Sequence, residues 1–170
     1  VVDNDFWGCS SDLKYKWGKY FVSVGRQIPK KNYFLIAQAY VRYRKEISND
    51  AFGWVLIGDG PEHERIAKFI HDNHCEDKVH FLPFLPQMEL PAIYQHAEAL
   101  ICCSNRDETW GLVINEAMAG GCPVIASMQC GAAHTLVQEG VNGFQFSYDD
   151  VDKLTELMLT YHKLPQNKKD

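Results

Sequence analysis

The chain has 170 residues, and its composition of 46% apolar and 23% charged residues is typical of a globular domain rather than a disordered or fibrous protein. Seventeen basic and 22 acidic residues give a net charge of −5, which argues against a dedicated nucleic-acid-binding protein. No apolar run approaches the roughly 20 residues of a membrane-spanning helix, and no stretch resembles a signal peptide.

Short apolar runs alternate with helix-like stretches along the chain. Six apolar runs predict strands, at residues 20–24, 54–57, 79–82, 99–103, 123–127 and 143–146. Five stretches with apolar residues at helical spacing predict helices, at residues 32–47, 62–73, 88–97, 112–119 and 151–162. Several strands are apolar throughout, which indicates that crossover helices cover both faces of the sheet. We therefore expect a doubly wound, Rossmann-like α/β domain of about six mostly parallel strands.

The two ends of the chain differ from this pattern. Residues 1–19 lack periodicity and are interpreted as an interdomain linker, residues 20–163 as the domain, and residues 164–170 as a polar tail.

Six cysteines could suggest disulfides, but their positions argue otherwise. Cys102 and Cys103 are adjacent inside an apolar run, Cys122 and Cys130 flank another, and no Cys-x-x-Cys pair occurs. We expect buried, free thiols in a reducing compartment. The alternative is one reactive thiol, at Cys9 or Cys130. The seven histidines have no metal-ligand spacing, so no metal site is expected.

In a doubly wound sheet, ligands bind outside the carboxyl ends of the strands. Arg26 follows the first predicted strand and Lys31 precedes a predicted helix, so the two cations could neutralise a diphosphate, or belong to a solvated basic turn. Gly58 begins the segment Gly-Asp-Gly-Pro, whose glycines could let the backbone approach a ligand closely. The alternative is that this segment forms only a tight turn.

The most informative segment contains two glutamates separated by seven residues. If a helix begins near Gly111, Glu108 lies in the loop at its N-terminus and Glu116 lies about a turn and a half inside, both facing one crevice. The N–H groups of Gly111, Leu112 and Val113 would then be free to bind an anion. The alternative is that Glu108 merely complements the helix dipole and that Glu116 is a solvated surface residue.

These segments together resemble a known family. The succession VGR, IGDGPE, HFLPFLP, ETWGLVINEAMAGG and GVNGF is similar to the C-terminal, donor-binding half of retaining, family-four (group 1) glycosyltransferases with the GT-B fold. The resemblance runs from residue 1 to residue 161. Its most specific part is the glutamate pair with the Gly-Leu and Glu-Ala-Met-Ala sequences around it.

The resemblance implies a role for each matching residue. Arg26 and Lys31 match the pair that grips the donor diphosphate and stabilises the leaving nucleotide. Glu108 matches the glutamate that contacts the donor sugar, and Glu116 the one that binds the ribose hydroxyls. The other donor-binding positions implied are Gly25, Gly58, Phe84, Leu85, Thr109, Gly111, Leu112 and Val113. Thr109, Trp110 and Pro83 depart from the common glycine, phenylalanine and glycine, and the Thr109 side chain could alter donor choice.

The implied activity is transfer of a sugar from a nucleotide-diphosphate sugar to an acceptor hydroxyl with retention, Glu108 acting by sugar positioning and not as a nucleophile. No cofactor is implied, and no nucleic-acid partner. A glycan or lipid-linked acceptor, and contact with a membrane surface, would come through an N-terminal half absent from this chain. We expect a cytoplasmic location and a fragment that is inactive by itself.

Three other functions compete with this one. A nicotinamide-dependent oxidoreductase would need Gly-x-Gly-x-x-Gly after the first strand, which residues 25–31 do not supply. A sugar-nucleotide epimerase of the same fold, and a non-catalytic nucleotide-sugar-binding module, stay open.

Overall fold

A computed structural model of the protein describes residues 2–8 and 17–165. Its strands, in chain order, are β1 (Tyr20–Val24), β2 (Gly53–Ile57), β3 (Val79–Leu82), β4 (Ala99–Cys102), β5 (Val124–Ser127) and β6 (Gly143–Phe146). They form one sheet of order β3-β2-β1-β4-β5-β6 in which every neighbouring pair is parallel. The predicted doubly wound, Rossmann-like α/β architecture is confirmed.

Helices connect the strands and cover the sheet on both faces. The α-helices are α1 (Asn4–Trp7), α2 (Tyr33–Ile47), α3 (His63–Asp72), α4 (Leu90–His96), α5 (Leu112–Ala119), α6 (Gly131–Leu136) and α7 (Val151–Lys163). Single 3-10 turns occupy Pro29–Lys31, Ser48–Asp50 and Gln87–Glu89. None of the helices in the described ranges combines the length and the apolar character that crossing a membrane requires.

The sheet separates two apolar cores because successive side chains of a strand point to opposite faces. Phe21 of β1 belongs to the core beneath α2, α3 and α7. Its neighbour Val22 belongs to the core beneath α1, α4, α5 and α6. Both side chains are fully buried, which explains why β1 is apolar on both faces.

At the carboxyl edge of the sheet, the backbones of the loops after β1 and β2 lie very close to each other. Gly25 N–H donates to the Ile57 carbonyl at 2.9 Å, and Gly58 N–H donates to the Leu82 carbonyl at 2.9 Å. Gly58 has a φ of +130°, and a methyl group there would lie 2.1 Å from the Gly25 carbonyl oxygen. Only glycine fits this close approach between the loops after β1 and β2.

Two short helices were not predicted. The α1 helix begins after Asp3, whose side chain accepts from two backbone N–H groups, and it buries Trp7 beside Tyr94, with 5.8 Å between ring centroids. The α6 helix has only six residues. Elements this short show no hydrophobic period. The assignment of residues 1–19 as a linker stays a prediction, since residues 9–16 lie outside the described ranges, as do residues 166–170 of the predicted tail.

The expectation of free, buried cysteines is confirmed for the five cysteines that the structure describes, Cys75, Cys102, Cys103, Cys122 and Cys130. Cys9 lies outside the described residues. Cys130 is fully buried at the N-cap of α6, so it is not an exposed loop thiol. The reducing compartment stays a prediction.

Candidate functional site

Three loops at the carboxyl edge are joined by backbone hydrogen bonds. Asn105 N–H, after β4, donates to the Lys30 carbonyl, after β1, at 2.9 Å. Gln27 N–H donates to the Asp59 carbonyl at 2.8 Å, and Glu62 N–H donates back to the Gln27 carbonyl at 3.0 Å. The loops after β1, β2 and β4, which carry most of the predicted site residues, therefore form one continuous rim.

Lys31 and Glu108 are in direct contact within this rim. The Lys31 ammonium forms an ion pair with Glu108 Oε2, and the two side chains are only 16% and 13% exposed. The Ser104 hydroxyl donates to the same carboxylate oxygen at 3.4 Å. Each charge is largely withdrawn from water, so the pair is electrostatically stronger than a surface ion pair.

Arg26 lies on the same loop as Lys31 but is exposed. Among the residues that the structure describes, its guanidinium forms no ion pair and no side-chain hydrogen bond. Arg26, Lys31 and Glu108 thus leave one positive charge at the rim that is free to meet an anion.

The N-terminus of α5 lies next to the Glu108 side chain, since a methyl group on Gly111 would be 3.8 Å from Glu108 Cγ. Gly111 is the N-cap residue with a φ of +86°, and a methyl group there would lie 2.3 Å from Cys130 Sγ. The first backbone bond of the helix runs from Ile114 N–H to the Gly111 carbonyl at 3.0 Å. The preceding N–H groups of Leu112 and Val113 have no partner in the described part of the chain, which suits an anion. The helix start predicted at Gly111 is confirmed.

Glu116 is held by a residue of a neighbouring helix and is not a fully solvated surface residue. It is half-buried on α5, and the Tyr94 hydroxyl of α4 donates to its Oε2 at 3.3 Å. Burial raises the pKa of Glu116 above its ordinary value, and the hydrogen bond from Tyr94 opposes that rise. The two predicted glutamates do not hydrogen-bond to each other.

The remaining predicted residues line the rim without ion pairs. Phe84 is 60% exposed, and its ring edge stands 3.4 Å from where a methyl group on Gly58 would be. Leu85 is partly buried against the core that contains α4 and α5. Thr109 is exposed and presents its carbonyl to Gly131, where a methyl group would lie 2.5 Å from it.

Cavities do not single out this rim. One of about 570 Å³ lies at the opposite, amino edge of the sheet, where none of the predicted residues falls, and includes Phe52 and His162 in its lining. A cavity of about 250 Å³ at the carboxyl edge is lined by Gly58 and His63. The larger cavity also carries charged side chains, Lys19, Asp77 and Lys78 among them, but it lies at the amino edge, whereas doubly wound sheets bind ligands outside the carboxyl ends of their strands.

Sequence reasoning missed several contributors to the rim. Ser104 bonds Glu108, Tyr94 bonds Glu116, and the thiol of Cys130 donates to the Trp110 carbonyl at 2.9 Å. Tyr33, the first residue of α2, places its hydroxyl beside Gly25. The tyrosines and cysteines read as core residues in the sequence, and a single sequence carries no signal that pairs them with residues of other elements.

The strand order defines a Rossmann-like α/β domain, and its charged rim lies at the carboxyl edge, where such sheets bind ligands. The family model of the Glycosyl transferases group 1 matches residues 11–170, and the chain belongs to this family.

Two curated relatives illustrate the match. The chain is 31% identical over 141 residues to a GDP-mannose-dependent alpha-(1-6)-phosphatidylinositol monomannoside mannosyltransferase of Mycobacterium tuberculosis, covering 79% of the chain and 36% of the relative. It is 28% identical over 129 residues to an alpha-monoglucosyldiacylglycerol synthase of Acholeplasma laidlawii, covering 76% and 31%. The chain thus spans about a third of the length of these relatives.

Solved structures share the fold. The C-terminal domain of the group 1 glycosyl transferase LpcC from Francisella tularensis superposes with a TM-score of 0.81 at 20% identity, covering all of this chain and 95% of that one. Anabaena HepE, solved in complex with UDP, gives a TM-score of 0.82 at 23% identity, covering 99% of this chain and 48% of that one. The domain is therefore of the size and fold of a C-terminal domain in GT-B glycosyltransferases.

Proposed function

We propose that this chain is the nucleotide-sugar-binding half of a retaining glycosyltransferase that transfers a hexose to an acceptor hydroxyl. The observation that carries the proposal is the convergence of the Lys31–Glu108 pair, exposed Arg26 and the free first-turn amides of α5 on one rim. Cations and amides suit a diphosphate, and carboxylates suit the hydroxyls of a sugar or ribose.

In the reaction, negative charge grows on the diphosphate oxygen as its bond to the sugar breaks. Arg26, Lys31 and the amides of Leu112 and Val113 would hold that charge, and a single positioned donor of this kind is worth about 3 kcal/mol in a closed site. Glu108 would accept hydrogen bonds from sugar hydroxyls and so fix the anomeric carbon. Attack by the acceptor from the face of the departing phosphate would then retain the anomeric configuration.

Glu116 would bind the donor at its ribose. Its carboxylate stands eight residues beyond Glu108, on the body of α5, and Tyr94 holds one of its oxygens. The other oxygen is available to accept from vicinal ribose hydroxyls. Phe84, Leu85, Gly25 and Gly58 would form the wall along which the nucleobase lies.

The relatives support a lipid-linked or glycan acceptor. The names of the mycobacterial and Acholeplasma proteins both refer to glycolipids. Since the chain spans only about a third of these relatives, we assign acceptor binding and any contact with a membrane surface to an N-terminal half. This chain alone would bind the donor in the cytoplasm without transferring sugar, and its proposed chemistry calls on no cofactor.

Isothermal titration with UDP and GDP tests the proposal. We expect a dissociation constant between about 1 μM and 1 mM for one of them, with loss of binding in Arg26→Ala and in Glu116→Ala. Arg42→Ala is the matched control, because Arg42 pairs with Asp152 on the exposed surface of α2 and α7. Binding that survives both rim substitutions would overturn the assignment of the site.

A further inference from the structure

The hydroxyl of Tyr33 is a buried polar group that the proposed mechanism leaves unused. Tyr33 begins α2, and its side chain is packed in the core beneath α2 and α7, with 4% of its surface exposed. A methyl group on Gly25 would lie 2.7 Å from the Tyr33 hydroxyl and 3.8 Å from Cε of Lys31. The hydroxyl therefore lies at the carboxyl end of β1, next to the Lys31 chain.

This hydroxyl has no hydrogen-bond partner within residues 2–8 and 17–165, in contrast to those of Tyr20 and Tyr40, whose rings are also buried. Tyr20 donates to the Ile93 carbonyl at 2.7 Å, and Tyr40 donates to the Phe52 carbonyl at 2.8 Å. Within the described residues, Nη1 of Arg44 is the completely enclosed side-chain nitrogen or oxygen that lacks a hydrogen-bond partner. The Tyr33 hydroxyl also lacks a partner but does not belong to these completely enclosed atoms. The Tyr33 hydroxyl is therefore not completely enclosed, and it lies beside Gly25 at the rim.

The hydroxyl is a neutral donor in this position. Burial raises the pKa of Tyr33 well above its ordinary value, and the nearby Cys102 and Glu108 raise it further. The proton stays on the phenol through the physiological pH range. An acceptor that enters the rim beside Lys31 would therefore meet an O–H group as well as an ammonium.

We propose that Tyr33 is a further donor-binding residue, whose hydroxyl donates a hydrogen bond to an oxygen of the distal phosphate of the nucleoside diphosphate. The inference rests on the proposed function, which places the donor diphosphate against Arg26, Lys31 and the first-turn amides of α5. A phosphate oxygen only accepts, so it complements a site where the ammonium and the phenol both donate. It also satisfies a hydroxyl that has no partner among the residues that the structure describes.

Tyr33→Phe removes this donor and keeps the ring. We expect the affinity for UDP or GDP, whichever binds, to fall about tenfold, because a hydrogen bond to a charged group is worth about 1.5–3 kcal/mol. The affinity for the matching nucleoside monophosphate should change less than about twofold, since it lacks the distal phosphate. Tyr40→Phe is the control on the same helix, and it should leave both affinities unchanged. Isothermal titration measures all of these values.

The outcomes separate the inference from the proposed function. If the wild-type chain binds no nucleoside diphosphate, the proposed function fails, and this inference fails with it. Equal diphosphate affinities in wild type and Tyr33→Phe, or equal losses for diphosphate and monophosphate, would overturn the inference alone. If Tyr33→Phe fails to fold, the 19F resonances of the wild-type protein labelled with 3-fluorotyrosine provide a second test of the contact. A shift produced by the diphosphate and not by the monophosphate supports the contact, and its absence overturns it.

Discussion

At the scale of single residues, the free protein neutralises its own binding group. The Lys31 ammonium, proposed to hold the donor phosphate, is already paired with Glu108, and both side chains are mostly buried. A diphosphate must compete with this carboxylate for the ammonium. A donor that also carries a sugar gives Glu108 hydroxyl groups in return, so the pair favours a sugar nucleotide over the bare diphosphate.

Glu108→Gln should therefore strengthen the binding of the bare nucleoside diphosphate, by about three- to tenfold, and bring its affinity closer to that of the sugar nucleotide. The free protein should be less stable, because Lys31 loses its buried partner. Titration calorimetry and thermal unfolding with and without nucleotide measure both effects. Asp152→Asn, which breaks the exposed pair with Arg42, serves as control. An unchanged or weakened diphosphate affinity would show that the pair does not compete.

The protonation of Glu116 gives donor binding a pH dependence. The carboxylate must be ionised to accept from two hydroxyls, and burial raises its pKa. Affinity should fall on acidification at a higher pH than for an ordinary glutamate. Tyr94→Phe removes the hydrogen bond that lowers this pKa, so the fall should begin at a still higher pH. Dissociation constants from about pH 8 to about pH 5 test this, with Glu116→Gln correcting for titration of the nucleotide. Superimposable profiles of Tyr94→Phe and wild type would contradict it.

The pH dependence of stability in the absence of ligand is opposite in sign to that of donor binding. Because the folded pKa of Glu116 lies above its unfolded value, the ionised side chain costs stability above the folded pKa, and this cost fades as the pH falls through it. Glu116→Gln should accordingly raise the thermal midpoint near neutral pH and lose this advantage in acid.

At the scale of elements, the contact between α5 and α6 sets the position of the Glu108 loop. Gly111→Ala would place a methyl group 2.3 Å from Cys130 Sγ at a φ of +86°. We expect a loss of about 2–4 kcal/mol in the free energy of unfolding, measured by denaturant titration. Gly121→Ala is the matched control, because its φ is +75° but nothing lies within 4 Å. Its loss should be about 1 kcal/mol, and equal losses in the two variants would argue against the clash.

The elements also show how far sequence reasoning reaches. The bounds of β1, β3, β6 and α5 match the prediction, because each is an apolar run or period with clear limits. The predicted helix 88–97 is divided between a 3-10 turn and α4, since Pro91 suits the first turn of a helix. The Lys31–Glu108 and Tyr94–Glu116 contacts join residues of different elements, and local pattern carries no information about such pairs.

At the scale of the whole molecule, the proposed binding residues lie at one edge of the sheet, whereas the apolar cores that stabilise the fold lie on both of its faces. The two cores flank the same strands, and the loops that carry Arg26, Lys31 and Glu108 leave those strands at their carboxyl ends. Substitutions of Arg26 and Glu108 can therefore change ligand binding without altering the apolar packing of either core, whereas Tyr33 and Tyr94 belong to the two cores and their variants need a stability measurement as well.

The central position of β1 also constrains how the chain assembles during synthesis. Phe21 and Val22 pair with Ala99 and Leu100, which emerge from the ribosome much later. The first three strands can associate early, yet one side of β1 keeps unsatisfied backbone groups until β4 arrives. The nascent domain thus exposes an unpaired strand edge, which can associate with other chains, for a large part of its translation. Chaperones that cover such edges would matter most in that interval.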